Sequence, residues 1–91
     1  MALANGGCHN VSVLSDGTVK WQGQSPYSGL LALDFVKADG SLRLSRMVSR
    51  YASAGLTYKP TFTDWNEVYL RQYINGRYYV VSNVIYKIVN S

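Results

Sequence analysis

Three dipeptides punctuate this chain more strongly than anything else in it: Asp16-Gly17, Asp39-Gly40 and Asn75-Gly76. Glycine reaches the positive φ that tight reversals need, so each pair marks a place where the chain can turn back on itself. The intervals between them are unequal, which argues against an internal repeat. Residues 11–14 and 18–21 alternate on either side of Asp16-Gly17 and read as a hairpin. Asn75-Gly76 fits a type I′ turn joining a strand over residues 68–74 to a return strand from Arg77. Val, Tyr and Ile favour that reading. A rival reading exists: Asp64-x-x-Glu67 resembles a capping box, and a wheel over residues 64–74 puts Trp65, Tyr69, Leu70, Tyr73 and Ile74 on one face.

Residues 22–29, with Gly23, Pro26 and Gly29, read as a loop. Residues 30–36 form an apolar run broken by Asp34 and read as a buried strand ended by Asp39-Gly40. The sequence predicts the main helix over residues 41–54. Ser41 is a natural N-cap and Gly55 sits where a left-handed C-cap belongs. Leu44, Met47, Val48, Tyr51, Ala52 and Ala54 share one helical face, with Leu42 the apolar residue off the stripe. Residues 56–62 are extended, limited by Pro60. Residues 78–89 are strongly β, with Ser82-Asn83 able to bend or split the run. The fold expected is α+β: an antiparallel sheet of about five or six short strands, the 41–54 helix packed on one face, and a second short helix possible near 64–74.

At 91 residues the chain is one domain, with residues 1–8 a flexible lead-in. It is 47% apolar and 15% charged, too apolar and too weakly charged for a disordered chain. So weakly charged a surface is poorly protected against self-association. The net charge of +4 is compatible with a polyanionic partner and excludes an acidic mimic of nucleic acid. A lone cysteine, Cys8, forms no internal disulfide, which fits a reducing, cytoplasmic compartment. Residues 1–10 lack the basic start and apolar run of a secretory signal, and no window is long enough for a membrane-spanning helix.

Two groups of residues are candidate sites. On a helix, Arg43, Arg46 and Arg50 fall within one arc, with Ser45 and Ser49 beside them and no acid on the same element. Guanidinium forks beside hydroxyls suit phosphate oxygens, so this stripe is a candidate polyanion site. The bland alternative is a solvated helix face, or arginines paired with acids from elsewhere. The second group is aromatic. The chain has eight Tyr, two Trp and two Phe. Tyr69, Tyr73, Tyr78 and Tyr79 cluster around Arg71 and Arg77; Tyr69, Arg71, Tyr73, Arg77 and Tyr79 with Ile85 make a candidate protein interface, since Tyr, Trp and Arg dominate such surfaces. If the hairpin forms, Tyr69, Arg71 and Tyr73 share a face. Core packing accounts for at least half of the rings.

Catalytic chemistry finds little footing. His9 is the only histidine, and Cys8 beside it is a poor nucleophile–base partner, because adjacent side chains diverge in regular structure. Asp16 and Asp39 are explained by turns and Asp64 by a cap. No phosphate-binding loop, dinucleotide fingerprint or zinc spacing is present, and neither cofactor nor metal is expected. The leading expectation is a non-enzymatic protein-interaction domain, such as an inhibitor, adaptor or assembly subunit of the compact kind viruses and phages encode. The alternatives are a nucleic-acid-binding module using the Arg stripe, and a small ribonuclease using Glu67, Arg71, Tyr73 and Arg77.

Overall fold

The computed structural model describes residues 9–24, 27–49 and 51–87; for 51–54 only the backbone is described. The lead-in 1–8, Pro26, Arg50 and residues 88–91 lie outside these. Eight strands follow one another: β1 (His9–Val13), β2 (Val19–Gln24), β3 (Leu31–Val36), β4 (Leu42–Val48), β5 (Tyr51–Tyr58), β6 (Glu67–Ile74), β7 (Arg77–Val80) and β8 (Ile85–Tyr86). They build two antiparallel sheets. One is three-stranded in the order β1-β2-β5; the other is five-stranded in the order β4-β3-β6-β7, with β8 also on β6.

The described residues contain no helix, so the α+β expectation is corrected to an all-β fold. The main helix over 41–54 is replaced by β4 and β5, successive strands that belong to different sheets. Local turn chemistry explains the difference. Lys37 N–H donates to Ser41 O and Gly40 N–H to Lys37 O. Asp39 Oδ1 accepts from both the backbone N–H and the hydroxyl of Ser41, so Ser41 closes a turn instead of capping a helix. The same device joins β1 to β2, where Thr18 N–H donates to Asp16 Oδ1. In both, glycine holds a positive φ, 91° at Gly17 and 90° at Gly40. Each hairpin places its residues directly opposite a partner strand, and that pairing outweighs helix propensity. Gly55, read as a C-cap, does have φ of 89° but lies within β5, where the β2–β5 register shifts.

The helix held possible near 64–74 does not form, and the hairpin reading holds, with Glu67–Ile74 a strand. β6 and β7 pair from Arg71↔Val80 to Ile74↔Arg77 around Asn75-Gly76. Asn75 and Gly76 have φ of 49° and 82°, as a type I′ turn demands. The loop expected over 22–29 starts later, since β2 runs to Gln24.

The core lies between the sheets. Val11, Val19 and Trp21 face Leu31, Leu33, Phe35, Val68, Leu70 and Ile74 in one cluster. Phe35 is at its centre, edge-on to Phe62 and Trp65 at 5.2 and 5.5 Å. Its burial alone is worth about 2–3 kcal/mol. Strand β3 is buried throughout because β4 and β6 flank it on both sides.

Residues 81–83 close the seam between the sheets. Val81 N–H donates to Leu70 O, and Ser82 Oγ accepts from Leu70 N–H where a strand carbonyl would stand. On the other side His9 N–H donates to Val81 O. The Asn83 side chain acts as a short strand: Oδ1 accepts from Val11 N–H at 2.7 Å and Nδ2 donates to Val11 O at 2.9 Å. Ser82-Asn83 thus splits the C-terminal β run into β7 and β8.

Candidate protein-interaction surface

The five-stranded sheet has one face toward the core and one away from it. Alternation along β6 sends Val68, Leu70, Gln72 and Ile74 inward and leaves Glu67, Tyr69, Arg71 and Tyr73 on the outer face. The register extends that face sideways. Asp34 lies between Ser45 and Tyr69, Ala32 between Met47 and Arg71, and Tyr78 opposite Tyr73.

At its centre is an ionic network. Arg71 Nε stands 2.8 Å from Asp34 Oδ2, with the Asp34 side chain 2% exposed and that of Arg71 20%. The Nε–H is not aligned on an acceptor, and the guanidinium instead donates a long bond from Nη2 to Asp34 Oδ1 at 3.5 Å. Ser45 Oγ donates to Asp34 Oδ1 at 2.6 Å, and Arg71 Nη2 reaches the same hydroxyl at 3.1 Å. The guanidinium also lies 4.1 Å over the Tyr78 ring, which meets Tyr73 edge-on at 4.9 Å. Burial, and then the Asp34 charge, push the Tyr69 phenol above its ordinary pKa and keep it neutral.

Around the network the surface is apolar. Met47 is 56% exposed, Leu42 52%, Tyr78 48% and Tyr73 41%. A shallow groove of about 470 Å³ lies on the same face, with Val36, Leu42, Val80 and Val84 beside Asp34 and Arg71. Exposed apolar residues grouped around a neutralised charge pair are the composition of an interface core.

The structure divides the sequence candidates. Tyr69, Arg71 and Tyr73 do share a face. Tyr79 and Ile85 pack against the core instead, and Arg77 lies at the turn end of β7, opposite Ile74. The Arg stripe loses its helix. Arg43 is the extra residue of a bulge, since Phe35 pairs with Leu44 and Val36 with Leu42. Its Nε is 2.8 Å from Asp64 Oδ1 and its guanidinium lies 4.2 Å over Phe62. That bond holds the Asp64 carboxyl below its ordinary range and takes up the acid read as a cap. Arg46 lies 4.8 Å over Tyr58. Ser45 joins Asp34 instead of the arginines of its own strand, Ser49 follows β4, and Arg50 lies outside the described residues. Sequence reasoning missed Asp34 as the partner of Arg71, and Met47 and Leu42 as surface. The available signal was Asp34 itself, a lone acid in an apolar run, which must find a partner when buried.

Among the described residues no group of three or more His, Cys, Asp or Glu side chains is placed to hold a metal ion, and no helix is long and apolar enough to cross a membrane. The chain matches no protein-family model, no curated protein and no solved structure.

Proposed function

We propose that this protein is a non-enzymatic interaction domain whose outer five-stranded sheet face mates with a second copy of the chain, making it an assembly subunit. The observation that carries the reading is the Met47–Leu42–Tyr73–Tyr78 surface around the buried Asp34–Arg71 pair. A chain with net charge +4 repels its own copies over most of its surface. On this face Arg71 is neutralised by Asp34 and Glu67 adds a negative charge, so two copies meet here without that penalty. A two-fold contact needs only one self-complementary patch.

Sedimentation equilibrium across a wide concentration range tests this. The wild-type chain forms a dimer, and Met47→Glu and Tyr78→Glu each shift it to monomer while leaving the far-ultraviolet spectrum unchanged. A wild-type chain that stays monomeric at every concentration overturns self-association. A dimer indifferent to both substitutions moves the interface elsewhere.

A further inference from the structure

A second concave site lies at the end of the sandwich, away from the outer sheet face. The β1–β2 turn, the segment 59–65 and β8 enclose a groove of about 1040 Å³. This is the upper end of the range for small-molecule sites. Its walls are rings and aliphatic chains: Phe62, Trp65, Ile85 and Leu14. Leu14 is 46% exposed, although it borders the groove.

Its charged groups are few and uneven. Among the described residues that line it, Lys59 and Lys87 supply two ammonium groups and Asp16 a carboxylate. Asp16 is already engaged, with Oδ1 accepting from Thr18 N–H. Lys59 reaches Asp16 Oδ2 only at 3.9 Å, and its side chain is 64% exposed. Lys87 Nζ donates to Thr63 O and lies 5.0 Å over the Trp65 ring. An ammonium group has three donors, so hydrogens remain on both lysines for an acceptor in the groove.

Flat apolar walls with surplus positive charge at the rim select one kind of occupant. We propose that this groove is a binding site for a small planar aromatic anion, such as an aromatic carboxylate or sulfonate. The ring system lies against Phe62, Trp65 and Leu14, and the acid group meets Lys59 and Lys87. This site is independent of the outer-face interface.

The test uses the full chain and two fluorescent probes of similar shape. 1-Anilinonaphthalene-8-sulfonate carries the anion and N-phenyl-1-naphthylamine does not. The sulfonate should bind at one site per chain, quenching tryptophan emission by energy transfer, and about tenfold more tightly than the neutral probe at low salt. Lys59→Ala should remove most of that preference, and Leu14→Ala should weaken both probes. Both residues are exposed enough for the fold to survive substitution, which circular dichroism checks. Tyr78→Glu, on the outer sheet face, should leave binding unchanged. Equal affinity for the two probes, or indifference to both groove substitutions, overturns the proposal. So does loss of binding in Tyr78→Glu, which places the probe on the outer face. Failure of the dimer interface alone leaves these readouts unaffected.

Discussion

Asn83 offers the sharpest test of how the sheets are joined, because one side chain substitutes for a strand. Asn83→Ala deletes the 2.7 Å bond accepted from Val11 N–H and the 2.9 Å bond donated to Val11 O. A protein hydrogen bond contributes about 1 kcal/mol net, and more when its partner is left partly shielded from water. Two such bonds at the seam put the loss at about 2–3 kcal/mol. For a chain of 91 residues, about 2.1 cal/mol/K of unfolding entropy per residue makes each kcal/mol worth about 5 °C. Asn83→Ala should therefore lower Tm by about 10–15 °C in a thermal melt followed by circular dichroism. Asn83→Asp sharpens the test. It keeps the acceptor but turns a second oxygen toward Val11 O, so at neutral pH it destabilises at least as much as alanine. That carboxyl is easier to protonate folded than unfolded, so stability recovers as pH falls through its raised folded pKa. A melt of Asn83→Ala within about 2 °C of wild type would refute the side-chain seam.

Three further outcomes follow from the same packing. Asp34→Leu and Arg71→Met should each cost about 3 kcal/mol in urea unfolding, while the double substitution returns to within about 1 kcal/mol of wild type; additive losses would contradict mutual neutralisation. Gly29→Ala should cost about 2–3 kcal/mol, since an added Cβ would collide with Tyr73 O and force the loop off β6; an unperturbed melt would deny that close approach. His9 is buried with neither ring nitrogen hydrogen-bonded, and burial lowers its pKa below the ordinary 6.5. The unfolded chain then takes up the proton first, so stability falls as pH drops below about 6.5, and His9→Leu should flatten that slope between pH 7.5 and 5.5.

Much of the β structure is legible in the residues. Asp16-Gly17 and Asn75-Gly76 both turn hairpins, because their chemistry is local and decisive. Asp39-Gly40-Ser41 repeats the logic of Asp16-Gly17-Thr18, yet Ser41 is also a good N-cap, and single-sequence reasoning cannot weigh a cap against a turn without the partner strand. Strand β4 is an edge strand with little buried surface, so its alternation is faint, and the bulge at Arg43 blurs it further. Leu44, Met47 and Val48 fit a helical stripe as well as a strand. Asp64 and Glu67 show the same ambiguity: the spacing suits a capping box, but Asp64 is taken by Arg43 from a distant turn of chain. The sharing of one face by Tyr69, Arg71 and Tyr73 follows from period-two alternation alone. The pairing of Arg71 with Asp34 and the exposure of Met47 depend on sheet order, which no local pattern encodes.

Residues 42–48 are extended and paired with β3, and that pairing both abolishes the Arg stripe and assembles the outer face. Nuclear Overhauser contacts on labelled protein test it most directly. Cross-strand contacts joining Asp34 to Ser45 and Leu33 to Arg46 are the predicted result. An unbroken series of sequential amide–amide contacts through residues 42–48, with i to i+3 contacts on the same segment, would restore the helix and contradict the fold and the surface alike.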